Sequence, residues 1–459
     1  MIRKFSLLDG LREARATLIL AWPLVLAQLA QISFFTTDVI MMGWLGPEFL
    51  AGGLLATALM HPAVIGGFGV TTAAAPMISQ AIGARELRSI RRTVRQGCWA
   101  ALVVAAIIIP FLYVAGPIFT FLNQPPSATA LAAEYLVYAA WSVPGALLLN
   151  VLRAFISAKG NTGVVLVIIA SAAVLNAGIN YVLMFGHFGF PKLELVGAGI
   201  ATAITNTLMF LAALAYAVWH KNYRRHFILV RFWKPDWPRF FEFFRIGLPI
   251  GLTLLSEVGM FGVAVILMGW LGTNEVAGHA VAIQCASVTF MVPLGISQAT
   301  TIRVGLSQGR RDPAGVAVSG WVSLAMTLVF MGFTCAAFLI VPDRLAHIFL
   351  DPGEAENLLP ISLAISYLAV AGLFQFVDGA QVSAAAALRG LNDTKIPMVI
   401  ALIGYWVVGL GTAYLCGFVF GMRGVGIWTG LAAGLAFVAI AMMVRWAVRE
   451  RLGLVRHAA

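Results

Sequence analysis

Asp38–Gly46 reads DVIMMGWLG, and Ala264–Gly272 reads AVILMGWLG. The stretches lie 226 residues apart in a chain of 459, so the second half restates the first. At the same offset Pro23 falls on Pro249 and Gln31 on Glu257. Further along the offset drifts by a few residues. IGAR (82–85) parallels QGRR (308–311), KGNT (159–162) parallels RGLNDT (389–394), and VGAGIAT (196–202) parallels RGVGIWT (423–429). The copies differ in chemistry, because Ala264 stands where Asp38 stood.

What repeats is a set of membrane spans. Hydrophobic residues make up 61% of the chain and charged residues 11%, with a mean hydropathy of +0.92. Soluble domains carry roughly 25% charged residues, so the composition is that of an all-α polytopic membrane protein. A span needs about 20 mostly apolar residues. Twelve runs qualify: 15–44, 50–80, 96–119, 130–157, 163–186, 196–219, 243–271, 276–305, 316–341, 358–388, 396–420 and 425–447. Several exceed the minimum, which predicts tilted or kinked helices. Pro23, Pro144, Pro249 and Pro293 lie within them as candidate kinks.

Charge placement gives the orientation. Lys and Arg collect on the cytoplasmic side of membrane proteins. With twelve spans, 27 of the 30 Lys and Arg residues, Arg3 and Lys4 among them, fall on one side, and only Lys192, Arg344 and Arg423 on the other. Both termini are therefore expected in the cytoplasm. The net charge of +11 reads as topology, not as an affinity for nucleic acid. Because six is even, the two copies share one orientation and form parallel repeats. The expected organisation is an N-terminal lobe 1–220, a polar cytoplasmic linker 221–245 and a C-terminal lobe 246–459. The opening MIRKFSLLDGLREAR carries no pattern of a removable signal segment. Cys98, Cys285, Cys335 and Cys416 all sit in apolar runs and suggest neither a disulfide framework nor a metal site.

Two parallel lobes meeting at a central cleft are a secondary-transporter plan. No GxxxxGK[ST] loop points to ATP, and no HExxH or GxSxG constellation points to an enzyme. No cofactor is expected. Three of the 19 acids lie well inside spans, namely Asp38, Glu257 and Asp378. Each costs about 2.5–3.5 kcal/mol at a helix centre on insertion scales, so such residues mark ion or substrate paths. No Lys or Arg falls in a span core, so no basic partner is evident.

Asp38 has candidate companions. Asn176 and Asn180 are four apart and share a helix face, as do Ala198 and Thr202 on the next helix. A carboxylate, two amide oxygens, a hydroxyl and a freed backbone carbonyl make an all-oxygen set suited to a hard cation. Interhelical hydrogen bonding is the structural alternative for the Asn pair. Glu257 and Asp378 belong to the second copy. In apolar surroundings such acids carry protons, bind Na⁺ or neutralise a cationic drug. Phe34, Phe35, Met260, Phe261, Phe290, Met291, Phe374 and Phe376 lie around these candidates in sequence; such residues are usually lipid-facing or core, and near carboxylates they would also suit flat lipophilic cations.

With DVIMMGWLG in the first span, SEVGMFG (256–262) in the seventh and FQFVDGAQ (374–381) in the tenth, the chain resembles a multidrug and toxic compound extrusion (MATE) transporter of the NorM-like branch. The resemblance covers nearly the whole length. It implies a V-shaped, two-lobe exporter in a bacterial inner membrane that antiports amphipathic cationic drugs or dyes against inward Na⁺ or H⁺ and suffices as a monomer among membrane lipids. It carries the cation-binding role onto Asp38, Asn176, Asn180, Ala198 and Thr202, and a cation- or drug-binding role onto Glu257 and Asp378. An aromatic hydroxyl that some members place one turn before the tenth-span acid is absent here, the position being Phe374. A lipid-linked saccharide flippase of related fold is the alternative. It would need basic residues in the cleft, whereas the intramembrane charges here are acidic.

Overall fold

The computed structural model describes residues 7–457; Arg3 and Lys4 lie outside them. Among the described residues there is no strand, and the helices long and apolar enough to cross a membrane number eleven, or twelve with one bent pair. In chain order they are α1 (Leu7–Leu45), α2 (Pro47–Gly83), α3 (Leu87–Tyr113), α4 (Pro126–Ala139 with Ser142–Ala158), α5 (Thr162–Phe185) and α6 (Glu194–Trp219). The second half adds α7 (Trp237–Leu271), α8 (Thr273–Gly309), α9 (Pro313–Ile340), α10 (Leu358–Gly390), α11 (Lys395–Val419) and α12 (Arg423–Ala447). The bend of 47° in α4 follows from Pro144, which offers no N–H to the Ala140 carbonyl at the break. At 39 residues α1 is about 58 Å long, nearly twice the hydrocarbon thickness. Val174, Val329 and Phe333 remain 76%, 62% and 72% exposed, as suits side chains solvated by lipid rather than water.

The chain divides into two compact units. One is Leu26–Gly251, in which α6 packs along α5 and the second half of α4, around Leu147, Val151, Phe155 and Phe243. The other joins the segment ending at Val25 to the chain from Leu252 onward, where α10 runs against α8, α9 and α12 around Tyr367, Phe374 and Trp428. Both boundaries lie inside a helix, two residues after the repeat-related Pro23 and Pro249. In α11, two stretches (403–409 and 415–419) are π-helical, a feature that apolar periodicity does not reveal. There α12 comes so close that a Cβ on Gly434 would lie 2.7 Å from Gly409 Cα.

The stretch 221–245 packs within the Leu26–Gly251 unit. Arg92 forms a forked ion pair with Asp236, Arg95 Nη1 donates to the Arg231 carbonyl at 2.7 Å, and Trp99 Nε1 donates to the Phe232 carbonyl at 3.1 Å. The sequence here looks polar, but its aromatic residues and carbonyls are what α3 holds. The Arg92 guanidinium keeps the Asp236 carboxyl below its usual range.

His226 is also buried in this stretch, edge-on to Phe155, with no hydrogen-bond partner on either ring nitrogen. Burial, and then the charges of Lys159 and Arg225, hold its pKa down from 6.5 to about 4. The unfolded chain therefore takes up this proton first, and stability falls as pH drops through 6.5 towards 4. We expect His226→Phe to flatten that part of the pH dependence. Melting temperatures of the two proteins should converge above pH 6.5 and separate below it. Parallel curves down to pH 4 would contradict this reading.

Candidate functional site

Asp38 lies in one unit and Glu257 and Asp378 in the other, and each site is built separately. In the Leu26–Gly251 unit, α1 presents Asp38, α5 presents Asn176 and Asn180, and α6 presents Thr202. The four-residue spacing that sets Asn176 above Asn180 on one helix face holds in space. Asn180 Nδ2 donates to Asn176 Oδ1 at 3.1 Å and to Asp38 Oδ1 at 2.5 Å. The Thr202 hydroxyl donates to Asp38 Oδ2 at a looser 3.5 Å. All four residues are buried. Ala198 is buried one turn before Thr202 on the same helix. Among the described residues no Lys or Arg pairs with Asp38; its donors are neutral.

Two amide atoms in this group, Asn180 Oδ1 and Asn176 Nδ2, have no partner. A buried amide oxygen left without a donor is costly unless something else fills its lone pairs. The donor set is carboxylate, amide and hydroxyl oxygen, which matches a hard monovalent cation. Sequence reasoning missed Tyr135, which is buried in α4 beside Thr202, within reach of the field of Asp38. Its only signal was a phenol within an apolar run.

The closeness of α5 and α6 depends on Gly197. A Cβ there would lie 2.7–2.9 Å from backbone atoms of Leu183 and Met184. Gly197→Ala must therefore push apart the two helices that carry Asn180 and Thr202, at about 1–3 kcal/mol. Gly178→Ala on α5 meets nothing within 4 Å. We expect Gly197→Ala to lower the melting temperature and Gly178→Ala to leave it unchanged. Equal melting temperatures would refute this account of the packing.

In the other unit Glu257 on α7 and Asp378 on α10 lie close enough for their charges to interact. Glu257 has a hydrogen-bonding neighbour in the Tyr405 hydroxyl, on the first π-helical stretch of α11. That hydroxyl accepts from Gln381 Nε2 at 2.7 Å, which leaves its own proton for Glu257. The next residue, Trp406, donates from Nε1 to Ser256 Oγ at 2.7 Å, so consecutive π-helical residues flank Glu257 along α7. The expectation that no basic residue reaches the intramembrane acids is corrected here. Arg389, in the last turn of α10, is near enough for its charge to interact with that of Glu257. It was counted as a loop residue because the apolar run ends just before it.

Ala264, at the repeat position of Asp38, is fully buried in the hydrophobic core. So are Met260 and Phe374, in line with the core reading of such residues, with Phe374 edge-on to Trp428. The second copy has thus filled the first copy's acid position with packing and placed its acids elsewhere.

Comparison with known proteins agrees with this division. Residues 23–182 and 249–415 each match the model of the family described as MatE. The two matches begin at the repeat-related prolines. The chain is 44% identical over 443 residues to a probable multidrug resistance protein NorM of Mesorhizobium japonicum, covering 96% of this chain and 95% of that one. It is 44% identical over 437 residues to a protein of the same name from Brucella suis, covering 95% and 93%. Among solved structures, a mutant of the Vibrio cholerae MATE transporter VcmN superposes with a TM-score of 0.87 at 17% identity, over 96% of this chain and 98% of that one. The eukaryotic MATE transporter AtDTX14 does so with 0.84 at 20%, over 96% of each chain.

Proposed function

The chain belongs to the MatE family of membrane transporters, and we propose that it is a multidrug exporter in which inward flow of a cation through the Asp38 group drives organic cations outward. One observation carries this reading: Asp38 is buried in a membrane helix with only neutral donors around it. A carboxylate so placed needs a proton or a metal cation to balance it. The unpartnered Asn180 oxygen favours Na⁺ over H⁺, since a proton on Asp38 would leave that oxygen unsatisfied. Asn176, Thr202 and the Ala198 carbonyl would complete the oxygen set. Glu257 and Asp378 would take the positive charge of the drug or a second coupling ion.

Both termini are assigned to the cytoplasm of a bacterial inner membrane, the chain acts as a monomer among lipids, and the two repeats alternate access by rocking. One charge moving inward across 100 mV supplies about 2.3 kcal/mol. That supports roughly fortyfold accumulation of a neutral solute, and less for a drug that carries positive charge outward. The test is purified protein in liposomes with an ethidium-like dye, under a Na⁺ gradient and a pH gradient applied separately. Movement driven by Na⁺ alone supports the assignment, and movement driven only by the pH gradient moves the proton onto Asp38. No dye movement under either gradient overturns the export reading and revives lipid-linked cargo.

A further inference from the structure

A cavity of about 620 Å³, whose lining includes none of the Asp38 group, lies within the Leu26–Gly251 unit, where α3 and α7 begin. Four arginines line it, Arg85, Arg88, Arg92 and Arg239, against two acids, Glu86 and Glu242. Arg92 is committed to Asp236, while Arg239 is held by Glu242 at 2.6 Å and by Ser89. Arg85 and Arg88 are exposed, and among the described residues neither forms an ion pair. Arg85 also holds a left-handed backbone (φ 59°), unusual for a residue of its size.

The repeat supplies an internal control. Arg311, opposite Arg85 in the second copy, has the same left-handed turn (φ 56°). The next residue there is Asp312, whose carboxylate accepts from Gly315 N at 3.0 Å and caps α9. Its counterpart Glu86 caps nothing, so the first amides of α3 stay open beside the cavity. In the second copy the carboxylate closes the helix start, whereas in the first Glu86 leaves those amides uncapped beside the unpaired Arg85 and Arg88. Planar guanidinium groups in pairs grip phosphate oxygens bidentately. The cavity sits at the ends of two membrane helices, the level at which lipid headgroups lie.

We propose that this cavity binds a phosphate-bearing anion, either an anionic phospholipid headgroup or a free phosphate, gripped by Arg85 and Arg88. The test counts lipids retained by the purified full-length protein in native mass spectrometry, with phosphatidylglycerol, phosphatidylcholine and excess inorganic phosphate offered in turn. Arg85→Gln with Arg88→Gln should retain about tenfold less phosphatidylglycerol, as loss of charge-assisted bonds implies. Arg91→Gln with Arg225→Gln removes two charges outside the cavity and should retain as much as wild type. Arg85→Lys keeps the charge without the fork and should fall between, which guards against misfolding of the double variant. Displacement of the lipid by inorganic phosphate makes free phosphate a ligand; no displacement makes the lipid the source. Equal retention by the cavity pair and the control pair, or equal retention of phosphatidylcholine and phosphatidylglycerol, overturns the proposal.

Discussion

Asp38→Asn is expected to abolish cation-driven dye export while leaving the protein at least as stable as wild type. The two effects separate because the charge does two different things. In the coupling reaction it is the only anion in its group, so replacing it with an amide removes the one full charge that a cation meets there. Loss of an ionic partner of that kind costs about 3 kcal/mol, or roughly a hundredfold in cation affinity. In the resting fold the same charge is a burden, buried without a basic partner. The amide keeps an oxygen for Asn180 Nδ2 and is neutral, so folding loses little and sheds a desolvation cost of about 2–3 kcal/mol. Dye flux in liposomes and melting temperature in detergent measure the two sides. A variant that still couples under either gradient would remove Asp38 from the cation path. One that loses flux only by unfolding would make it a structural residue.

The features legible in the sequence are those lipid makes expensive to disguise. Apolar runs of span length, charges crowded to one side, a 226-residue echo and three carboxylates where carboxylates are rare all survive as sequence signals. The Asn176–Asn180 spacing was legible because helix periodicity alone puts the two side chains on one face. Other features were hidden for physical reasons. Tyr135 and Tyr405 count as hydrophobic in any composition, yet one brings a hydroxyl beside Thr202 and the other beside Glu257. Arg389 follows its apolar run directly, and a long flexible side chain can reach back from a helix end. The transfer between units after Pro23 and Pro249 leaves no trace in hydropathy, since both sides of each boundary are equally apolar. Phe374 and Met260 follow the commoner reading for such residues, since helix geometry turns them into the core although Asp378 and Glu257 lie near them in sequence.

Glu257→Gln should reduce transport by about tenfold or more, and Tyr405→Phe by several-fold, with the double variant no worse than Glu257→Gln alone. The reason is the direction of the hydrogen bonds. Gln381 donates to the Tyr405 oxygen, so the phenol's own proton stays free to donate, and neighbouring Glu257 is taken as the group through which it acts. Residues that act as one unit give non-additive losses. Tyr405→Phe has a second signature that a bystander would not show. It strands Gln381 Nε2, in a side chain whose Oε1 already lacks a partner, inside a fully buried site. An unsatisfied buried donor costs about 1–3 kcal/mol, so Tyr405→Phe should melt earlier than wild type. Adding Gln381→Leu, which removes the stranded amide, should restore part of that loss without restoring transport. Additive losses for Glu257→Gln and Tyr405→Phe, or a Tyr405→Phe protein that transports normally, would detach the π-helical turn from the chemistry and leave it a packing feature of α11.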